Sequence, residues 1–200
     1  MSHYFITPEG PAEIHPVTVR LWGRQVELDS APGVFSHHRL DLGTSVLLRL
    51  LDPPADRPAR MLDLGCGFGP IAVALALSCP QARIDAVDVN LRAVELTARN
   101  AARLGLAERL HALAPEQADP AVRYDEIWSN PPIRIGKPAL HALLELWLSR
   151  LAPQGVAHLV AGKNLGADSL QSWLAEQGWQ ATRVGSAKGF RVLDVRRSTP

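Results

Sequence analysis

The residues best suited to chemistry stand in three short clusters, each directly after a short apolar run. The first is a glycine-rich segment from Asp63 to Pro70, the second centres on Asp88, and the third is Asn130-Pro131-Pro132. Apolar runs that alternate with longer helical patterns are typical of the strands of an α/β sheet. Since ligands of such sheets lie at the carboxyl ends of the strands, we expect all three clusters to line one site.

The glycine-rich segment predicts a strand, a tight turn and a helix in direct succession. Gly65, Gly67 and Gly69 follow the apolar residues 61–64 and precede an apolar helical pattern. A dinucleotide-binding turn needs a glycine where this chain has Pro70, and a phosphate-binding loop needs a Gly-Lys-Ser/Thr sequence that does not follow here. Both of those ligand classes are therefore disfavoured.

A carboxylate immediately before the turn points to a cationic ligand. Asp63 is a poor neighbour for a pyrophosphate but a good one for an ammonium group, which it can hold directly or through water. S-adenosylmethionine carries an ammonium and a sulfonium, and we predict it as the cofactor. We expect Cys66, inside the turn, to be a small buried residue and not a nucleophile.

Asp88 ends the next apolar run and lies 19 residues after Gly69. A carboxylate at this place accepts hydrogen bonds from both hydroxyls of a ribose, which is a property of NAD and S-adenosylmethionine sites alike. The simpler interpretation is that Asp88 only caps the following helix. Asn90 can serve as that cap, so we favour ribose binding by Asp88, with Val89 beside it.

Asn130-Pro131-Pro132 follows the fourth strand of the main sheet and can hold a planar amine. Alone, these residues indicate only a turn. Above the same ligand, the Asn130 side-chain oxygen and the Pro131 carbonyl can accept the two N–H groups of an exocyclic amine. That draws the nitrogen lone pair out of conjugation and aims it at a methyl group, while Pro131 and Pro132 keep the loop in one shape.

The elements that must position these clusters form an α/β, Rossmann-like fold. We predict a seven-stranded, mainly parallel sheet with an antiparallel last strand and helices on both faces. The predicted strands span residues 60–64, 83–88, 109–113, 124–129, 155–161, 179–184 and 190–196. The predicted helices span residues 69–78, 90–104, 137–151 and 167–176. About five residues join the last two strands, too few for a parallel crossover.

An N-terminal appendage precedes this sheet. Alternating apolar residues on either side of Trp22-Gly23-Arg24 predict a β-hairpin, and residues 41–51 predict a helix. The proline-rich stretch 52–58 then separates an appendage of residues 1–52 from a main domain of residues 59–200, which forms one compact unit.

Composition limits the cellular setting. The formal net charge is +1 and hydrophobic residues make up 46% of the 200 residues, which argues against a basic nucleic-acid coat and against disorder. Two cysteines fit a reducing compartment, and the sequence suggests neither a signal peptide nor a membrane span. We expect a cytoplasmic protein with no membrane partner and no metal.

The order Asp63-Leu64-Gly65-Cys66-Gly67-x-Gly69, Asp88, Asn130-Pro131-Pro132 resembles the class I S-adenosylmethionine-dependent methyltransferases. Within that class the chain is similar to the small-subunit (16S) ribosomal RNA guanine-N2 methyltransferase family. Three more segments carry this similarity, namely residues 32–44, 130–137 and 189–193. The resemblance covers about residues 13 to 197.

The resemblance implies the predicted fold and methyl transfer to the exocyclic N2 of a guanine in 16S-type RNA. It places Asp63, Gly65 and Gly67 at the methionine end of the cofactor, and it brings the segment around Phe35, Ser36, Asp41 and Thr44 over the cofactor. Ribosomal RNA or the small ribosomal subunit is the implied partner. The predicted cofactor-binding residues are Phe35, Thr44, Asp63, Gly65, Cys66, Gly67, Gly69, Asp88, Val89 and Glu116.

The sequence departs from the family pattern in two places. Many enzymes with this motif have an aromatic residue after Asn-Pro-Pro to stack on the flipped base, and this chain has Ile133. The residue that contacts the adenine ring is unassigned, with Glu116 as a candidate. Many bacterial relatives also carry a second, degenerate copy of the domain, for which this chain has no room. Predicted RNA-binding residues around the site are Ile133, Arg134, Lys137 and Arg191.

Three other functions remain open. A protein glutamine amide presents the same planar amine, so methylation of glutamine N5 is one alternative. A catalytically silent S-adenosylmethionine-binding assembly factor is another, although the intact Asn130-Pro131-Pro132 argues against it. An oxidoreductase is disfavoured by Asp63 and Pro70.

His37-His38 resembles part of a metal site, but no third ligand stands at a useful spacing in the sequence.

Overall fold

The computed structural model describes residue 10 and residues 13–132 and 135–198, except for the side chain of Leu165. The strands are β1 His15–Leu21, β2 Arg24–Ser30, β3 Arg60–Leu64, β4 Arg83–Val87, β5 Leu110–Leu113, β6 Tyr124–Ser129, β7 Leu151–Gly162, β8 Trp179–Ala187 and β9 Phe190–Arg197. The helices are α1 Leu42–Leu50, α2 Pro70–Ser78, α3 Leu91–Arg103, α4 Lys137–Leu148 and α5 Ala167–Glu176.

The predicted seven-stranded sheet is confirmed, with the strand order β5-β4-β3-β6-β7-β9-β8. Strands β3 to β7 pair in parallel, and β9 pairs antiparallel with both β7 and β8. Lys188 and Gly189 both have positive φ and close a two-residue hairpin between β8 and β9, which is tighter than the sequence suggested. The carboxyl ends of β3, β4 and β6 therefore meet at one edge of the sheet.

Three boundaries differ from the predicted ones by three residues or more, and one of them is the end of β8, which lies at Ala187 instead of residue 184. The helix predicted for residues 137–151 ends at Leu148, and the strand predicted for residues 155–161 begins already at Leu151. The β6–β7 pairing shifts register between Tyr124 and Glu126, so residues 152–155 form an irregularity in the strand. Such a bulge accommodates Pro153, which cannot donate to the ladder.

The core has a cluster of buried side chains on each face of the sheet. Residues of β3, β4 and the apolar helix α2 fill one cluster, which also includes Val17, Val19 and Leu28 of the hairpin. Residues of β6, β7, α4 and α5 fill the other, with Trp147 and Tyr124 among its largest members. The β1–β2 hairpin thus shares a core with the main sheet. None of the described helices is long and apolar enough to cross a bilayer.

A buried polar contact fixes the hairpin to helix α3. Asp29, at the end of β2, is paired with Arg99 and Arg103, and the side chain of Asn100 bonds to both the N–H and the carbonyl of Asp29 at 2.7 and 2.9 Å. Burial alone would raise the pKa of Asp29, but the two guanidinium groups hold it below its usual value. Asn100 also donates to the Phe68 carbonyl at 2.9 Å, which links the hairpin to the glycine turn.

Candidate active site

The carboxyl ends of β3, β4 and β6 open into a cavity of about 220 Å³. Most of the predicted catalytic and cofactor-binding residues line this cavity. All three predicted catalytic residues line it, namely Asn130, Pro131 and Pro132. The predicted cofactor residues that line it are Phe35, Thr44, Gly65, Cys66, Gly67, Asp88 and Val89.

The glycine turn forms the floor of the cavity in a conformation that needs glycine. Gly65, Gly67 and Gly69 have φ angles of 78°, 56° and 92°, where a side chain is strained. At Gly69 a Cβ would also lie 2.9 Å from the Thr97 hydroxyl. That hydroxyl donates to the Gly67 carbonyl at 3.0 Å. The turn is therefore held between β3 and α3, and Gly65 and Gly67 line the cavity.

Asp63 lies beneath the turn and not on the wall of the cavity. The residue is fully buried, its Oδ2 accepts a hydrogen bond from the Ala72 N–H at 2.9 Å, and its Oδ1 has no partner within the described residues. Burial raises the pKa of Asp63 to about 8, with the nearby charge of Asp88 adding to the rise and the Ala72 N–H opposing it. Contact with the cofactor's ammonium group stays a prediction.

Asp88 stands at the tip of β4 and organises the adjoining backbone. Its Oδ2 accepts from the Gly67 N–H at 3.0 Å and its Oδ1 from the Asn90 N–H at 2.9 Å. Burial raises the pKa of Asp88 above its ordinary value, while these backbone N–H groups favour the charged form. Each oxygen retains a second lone pair for a ligand hydroxyl. As expected, Asn90 caps α3, since its side chain accepts from the Arg92 N–H.

The amide of Asn130 is held in one orientation by the segment that precedes the main sheet. Its Nδ2 donates to Asp41 Oδ2 at 2.7 Å and to Thr44 Oγ1 at 3.1 Å. An ionised carboxylate only accepts hydrogen bonds, so the nitrogen of the amide must be the atom that faces Asp41. The amide oxygen of Asn130 is consequently left as an acceptor.

Asp41 also begins helix α1, and this capping role fixes its carboxylate. Its Oδ2 accepts from the Gly43 and Thr44 N–H groups at 2.6 and 3.2 Å, as expected of a helix N-cap. Helix α1 comes close to Asn130 at Gly43. A Cβ added at Gly43 would lie only 3.1 Å from Asn130 Oδ1 and 3.0 Å from Phe190. The first turn of α1 is therefore part of the site.

Four predicted site residues lie in the described structure but off the cavity wall, in addition to Asp63. Gly69 caps α2, and Glu116 is exposed on a short 3-10 turn whose neighbour Pro115 does line the cavity. Lys137 lines a separate small cleft between α4 and α5, and Arg191 is paired with Asp168. The predicted substrate contacts at 133 and 134, Ile and Arg, lie outside the described residues.

Several residues of the site were not among the predicted catalytic or binding residues. Asp41 and Gly43 position Asn130, and Phe190 and Trp147 line the cavity from β9 and α4. The Asp41-Leu42-Gly43-Thr44 pattern does signal a helix start, which is how Asp41 could have been found. No sequence signal ties that helix start to Asn130, which lies 89 residues later.

The residues present fit S-adenosylmethionine. The glycine turn leaves a cradle that side chains would fill, Asp88 offers carboxylate oxygens for a ribose, and apolar residues including Val34, Val87 and Ile71 line the same cavity. Beneath the turn, Asp63 Oδ1 has no hydrogen-bond partner among the described residues and can take one from a ligand or a bridging water. Asn130 and Pro131 line the same cavity and can receive a methyl acceptor there.

Comparison with known proteins agrees with this geometry. The chain is 32% identical over 199 residues to the uncharacterized protein YbxB of Bacillus subtilis (strain 168), with 98% of each chain covered. It is 33% identical over 201 residues to the ribosomal RNA small subunit methyltransferase C of Pseudomonas aeruginosa (strain LESB58), with 95% of this chain and 58% of that protein covered.

A solved structure also matches over nearly the whole chain. It is the T. thermophilus 16S rRNA N2 G1207 methyltransferase in complex with AdoMet and guanosine, with a TM-score of 0.77, 25% identity, and coverage of 95% of this chain and 52% of that one. This chain thus spans little more than half the length of the named rRNA methyltransferases that it matches. The family model of the methyltransferase small domain matches residues 25–194. The chain belongs to the methyltransferase small domain family, whose cofactor is the predicted S-adenosyl-L-methionine.

Proposed function

We propose that this protein transfers a methyl group from S-adenosylmethionine to the exocyclic N2 of a guanine in 16S-type ribosomal RNA. The observation that carries the proposal is the fixed amide of Asn130, whose nitrogen is held by Asp41 and Thr44 and whose oxygen remains available on the cavity wall. That arrangement suits a planar amine with two N–H groups.

The chain's own residues act by orientation. Asn130 Oδ1 and the Pro131 carbonyl accept the two N–H groups of the amine, which draws the nitrogen lone pair out of conjugation and fixes its direction. Pro131 and Pro132 restrict the loop, so the acceptors need little reorganisation. S-adenosylmethionine supplies an electrophilic methyl group bound to a sulfonium. The amine becomes acidic only after the methyl arrives, so no dedicated general base is required.

Asp41 supports guanine over a protein glutamine amide. All hydrogen bonds that Asp41 makes to described residues end on Oδ2, so Oδ1 is available on a residue that lines the cavity. A carboxylate oxygen attracts a donor, and guanine carries N1–H next to its amine. A glutamine amide carries a carbonyl oxygen there instead, which the carboxylate would repel.

The names of the relatives support RNA as the substrate. The matched P. aeruginosa and T. thermophilus proteins are both named as small-subunit rRNA methyltransferases. On this proposal the partner is ribosomal RNA or the small subunit, and the enzyme works in the cytoplasm. Lys137 and Arg191 remain proposed RNA contacts. Arg191 is paired with the largely exposed Asp168 and can exchange this partner for a phosphate of the RNA.

The test is transfer of a tritiated methyl group to three substrates in parallel. Unmodified 30S subunits, stripped 16S RNA and a soluble protein extract are each incubated with the wild-type protein and with Asn130→Ala. Asn164→Ala serves as a matched control, since Asn164 is exposed and does not line the cavity. Labelled RNA is then digested to nucleosides.

The proposal predicts label in N2-methylguanosine with the wild type and Asn164→Ala, and little label with Asn130→Ala. The preferred RNA form identifies the natural substrate. Label confined to protein would replace the proposal with glutamine methylation. An absence of label in all three substrates, with cofactor binding intact, would favour a silent binding module.

A further inference from the structure

Three histidines come together beside the cavity rim, although they are distant in sequence. His15 begins β1, and His37 and His38 lie in the loop between β2 and α1. The ring centroids of His37 and His38 are 3.8 Å apart. The ring centroid of His15 lies 5.7 Å from that of His37 and 5.2 Å from that of His38. One ring nitrogen from each lies within 4.8 Å of the other two. We call these three residues the histidine cluster.

We propose that the histidine cluster binds one divalent transition-metal ion, with Zn²⁺ as the best fit, and that the ion ties the loop to β1. Neutral imidazole nitrogens are favoured ligands of Zn²⁺, Co²⁺, Ni²⁺ and Cu²⁺. Three of them plus a water complete a tetrahedral shell. The ligand nitrogens lie within 4.8 Å of one another, so small ring rotations are enough to close the shell.

The hydrogen bonds around the cluster prepare it for an ion. The Ser36 hydroxyl donates to the Arg39 carbonyl at 2.9 Å and the Arg39 N–H donates to the Ser36 carbonyl at 3.1 Å, which closes a tight turn around His37 and His38. His15 Nε2 lies 2.8 Å from the His37 carbonyl, which can only accept. Neutral His15 therefore carries its proton on Nε2 and a lone pair on Nδ1. A second hydrogen bond of this kind is typical of histidines that bind metal.

The side chain of His37 offers a ring nitrogen that is not yet used. Its Nδ1 is buried and has no hydrogen-bond partner among the described residues. A metal ion would give the unpaired nitrogen a partner.

Because the histidine cluster lies next to the cavity, an ion bound there would affect the active site. Phe35 and Ser36 line the cavity and directly precede His37 and His38. An ion shared with His15 would restrain this rim of the cavity, since β1 is paired with β2 and buried against the core. Metal binding would therefore order the loop without entering the reaction.

The test is a titration of the full chain with Zn²⁺, followed by calorimetry, and with Co²⁺, followed by visible absorption. It is made without cofactor at about pH 7.5, above the ordinary pKa of imidazole. The variants are His15→Ala, His37→Ala and His38→Ala. The matched controls are His111→Ala, outside the cluster, and His3→Ala, which removes a histidine close to the chain's amino terminus. Amide exchange of residues 36–39 is measured with and without Zn²⁺.

We expect one Zn²⁺ per chain, at least about tenfold weaker binding in each cluster variant, and unchanged binding in both controls. Co²⁺ should give ligand-field bands without the charge-transfer band of a thiolate, since Cys66 and Cys79 are both buried. His38 is exposed, so its variant tests the site without threatening the fold. Binding that is absent, or unaffected by His15→Ala, would overturn the site. If Zn²⁺ binds stoichiometrically but the amide exchange of residues 36–39 does not change, the proposed restraint of the loop by the ion is wrong.

Discussion

The two walls of the cavity differ in how far along the chain their supporting contacts reach. The cofactor wall, formed by Gly65, Gly67 and Asp88, is closed by a hydrogen bond between residues 21 apart, across the neighbouring strands β3 and β4. The acceptor wall, formed by Asn130 and Pro131, depends on Asp41 and Thr44, which lie 89 and 86 residues earlier.

This difference separates binding from chemistry. The cofactor wall follows from two neighbouring strands, the turn after β3 and a contact with Thr97 of α3, all close together in sequence. The acceptor wall exists only when helix α1 is docked against the loop after β6. Changes at Asp41 or Gly43 should therefore alter turnover and leave cofactor affinity nearly intact, whereas Asp88→Ala should chiefly weaken cofactor binding.

The largest effect is expected for Asn130→Ala. Removing one preorganised polar group from a reacting centre typically costs about 10²- to 10³-fold in kcat, and we expect a loss of that size in methyl transfer. Cofactor affinity should change by less than about threefold, because the cofactor wall is untouched. Steady-state kinetics and calorimetry measure the two effects, with Asn164→Ala as the control. Near-normal turnover would refute the acceptor role.

Asp88→Ala should weaken S-adenosylmethionine binding by about 10- to 100-fold, because hydrogen bonds to a charged group contribute roughly 1.5–3 kcal/mol. It also frees the Gly67 N–H, so the turn loses a support. Calorimetry of the protein with cofactor alone measures the change. Asp119→Ala is the control, since Asp119 makes an exposed local bond to the Ala121 N–H. Equal affinities in both variants would remove Asp88 from the site.

Gly43→Ala should lower kcat by about tenfold while sparing cofactor affinity. The added methyl would lie 2.9 Å from Asp41 Oδ2, 3.0 Å from Phe190 and 3.1 Å from Asn130 Oδ1, so at least one of these groups must move. A shift of a catalytic group by well under 1 Å already slows a positioned reaction. Leu42→Ala, in the same turn but 44% exposed, is the matched control. A normal rate in Gly43→Ala would show that the acceptor wall tolerates movement of α1.

The prediction with the smallest effect on catalysis concerns Asp63 and the pH dependence of stability. Its pKa is raised to about 8 from 3.8, so the folded state holds a proton that the unfolded state has lost between those values. The free energy of unfolding should therefore fall as pH rises from about 4 to about 8, by up to roughly a few kcal/mol. Urea denaturation across that range should show a flatter profile for Asp63→Asn than for the wild type or for exposed Asp52→Asn. Parallel profiles would contradict the buried-acid assignment.

The cofactor wall and the sheet could be predicted because their signals are local. Glycine spacing, apolar runs and the interval to Asp88 are properties of adjoining residues, and parallel pairing brings their ends together. The pairing of Asp41 with Asn130 and of His15 with His37 depends on how the hairpin and α1 dock, which a single sequence does not encode as a pattern. The early start of β7 was missed because Pro153 argues against a strand that a bulge in fact permits.

A double-mutant cycle between Asp41 and Asn130 tests the central claim most directly. Methyl-transfer kcat is measured for the wild type, Asp41→Ala, Asn130→Ala and the double variant, with folding checked by thermal denaturation. If Asp41 acts by holding the Asn130 amide, Asp41→Ala should lower kcat by at least about tenfold in the wild-type protein. In the Asn130→Ala background the same substitution should leave kcat almost unchanged. Equal losses in both backgrounds would contradict the account, because Asp41 would then act independently of Asn130.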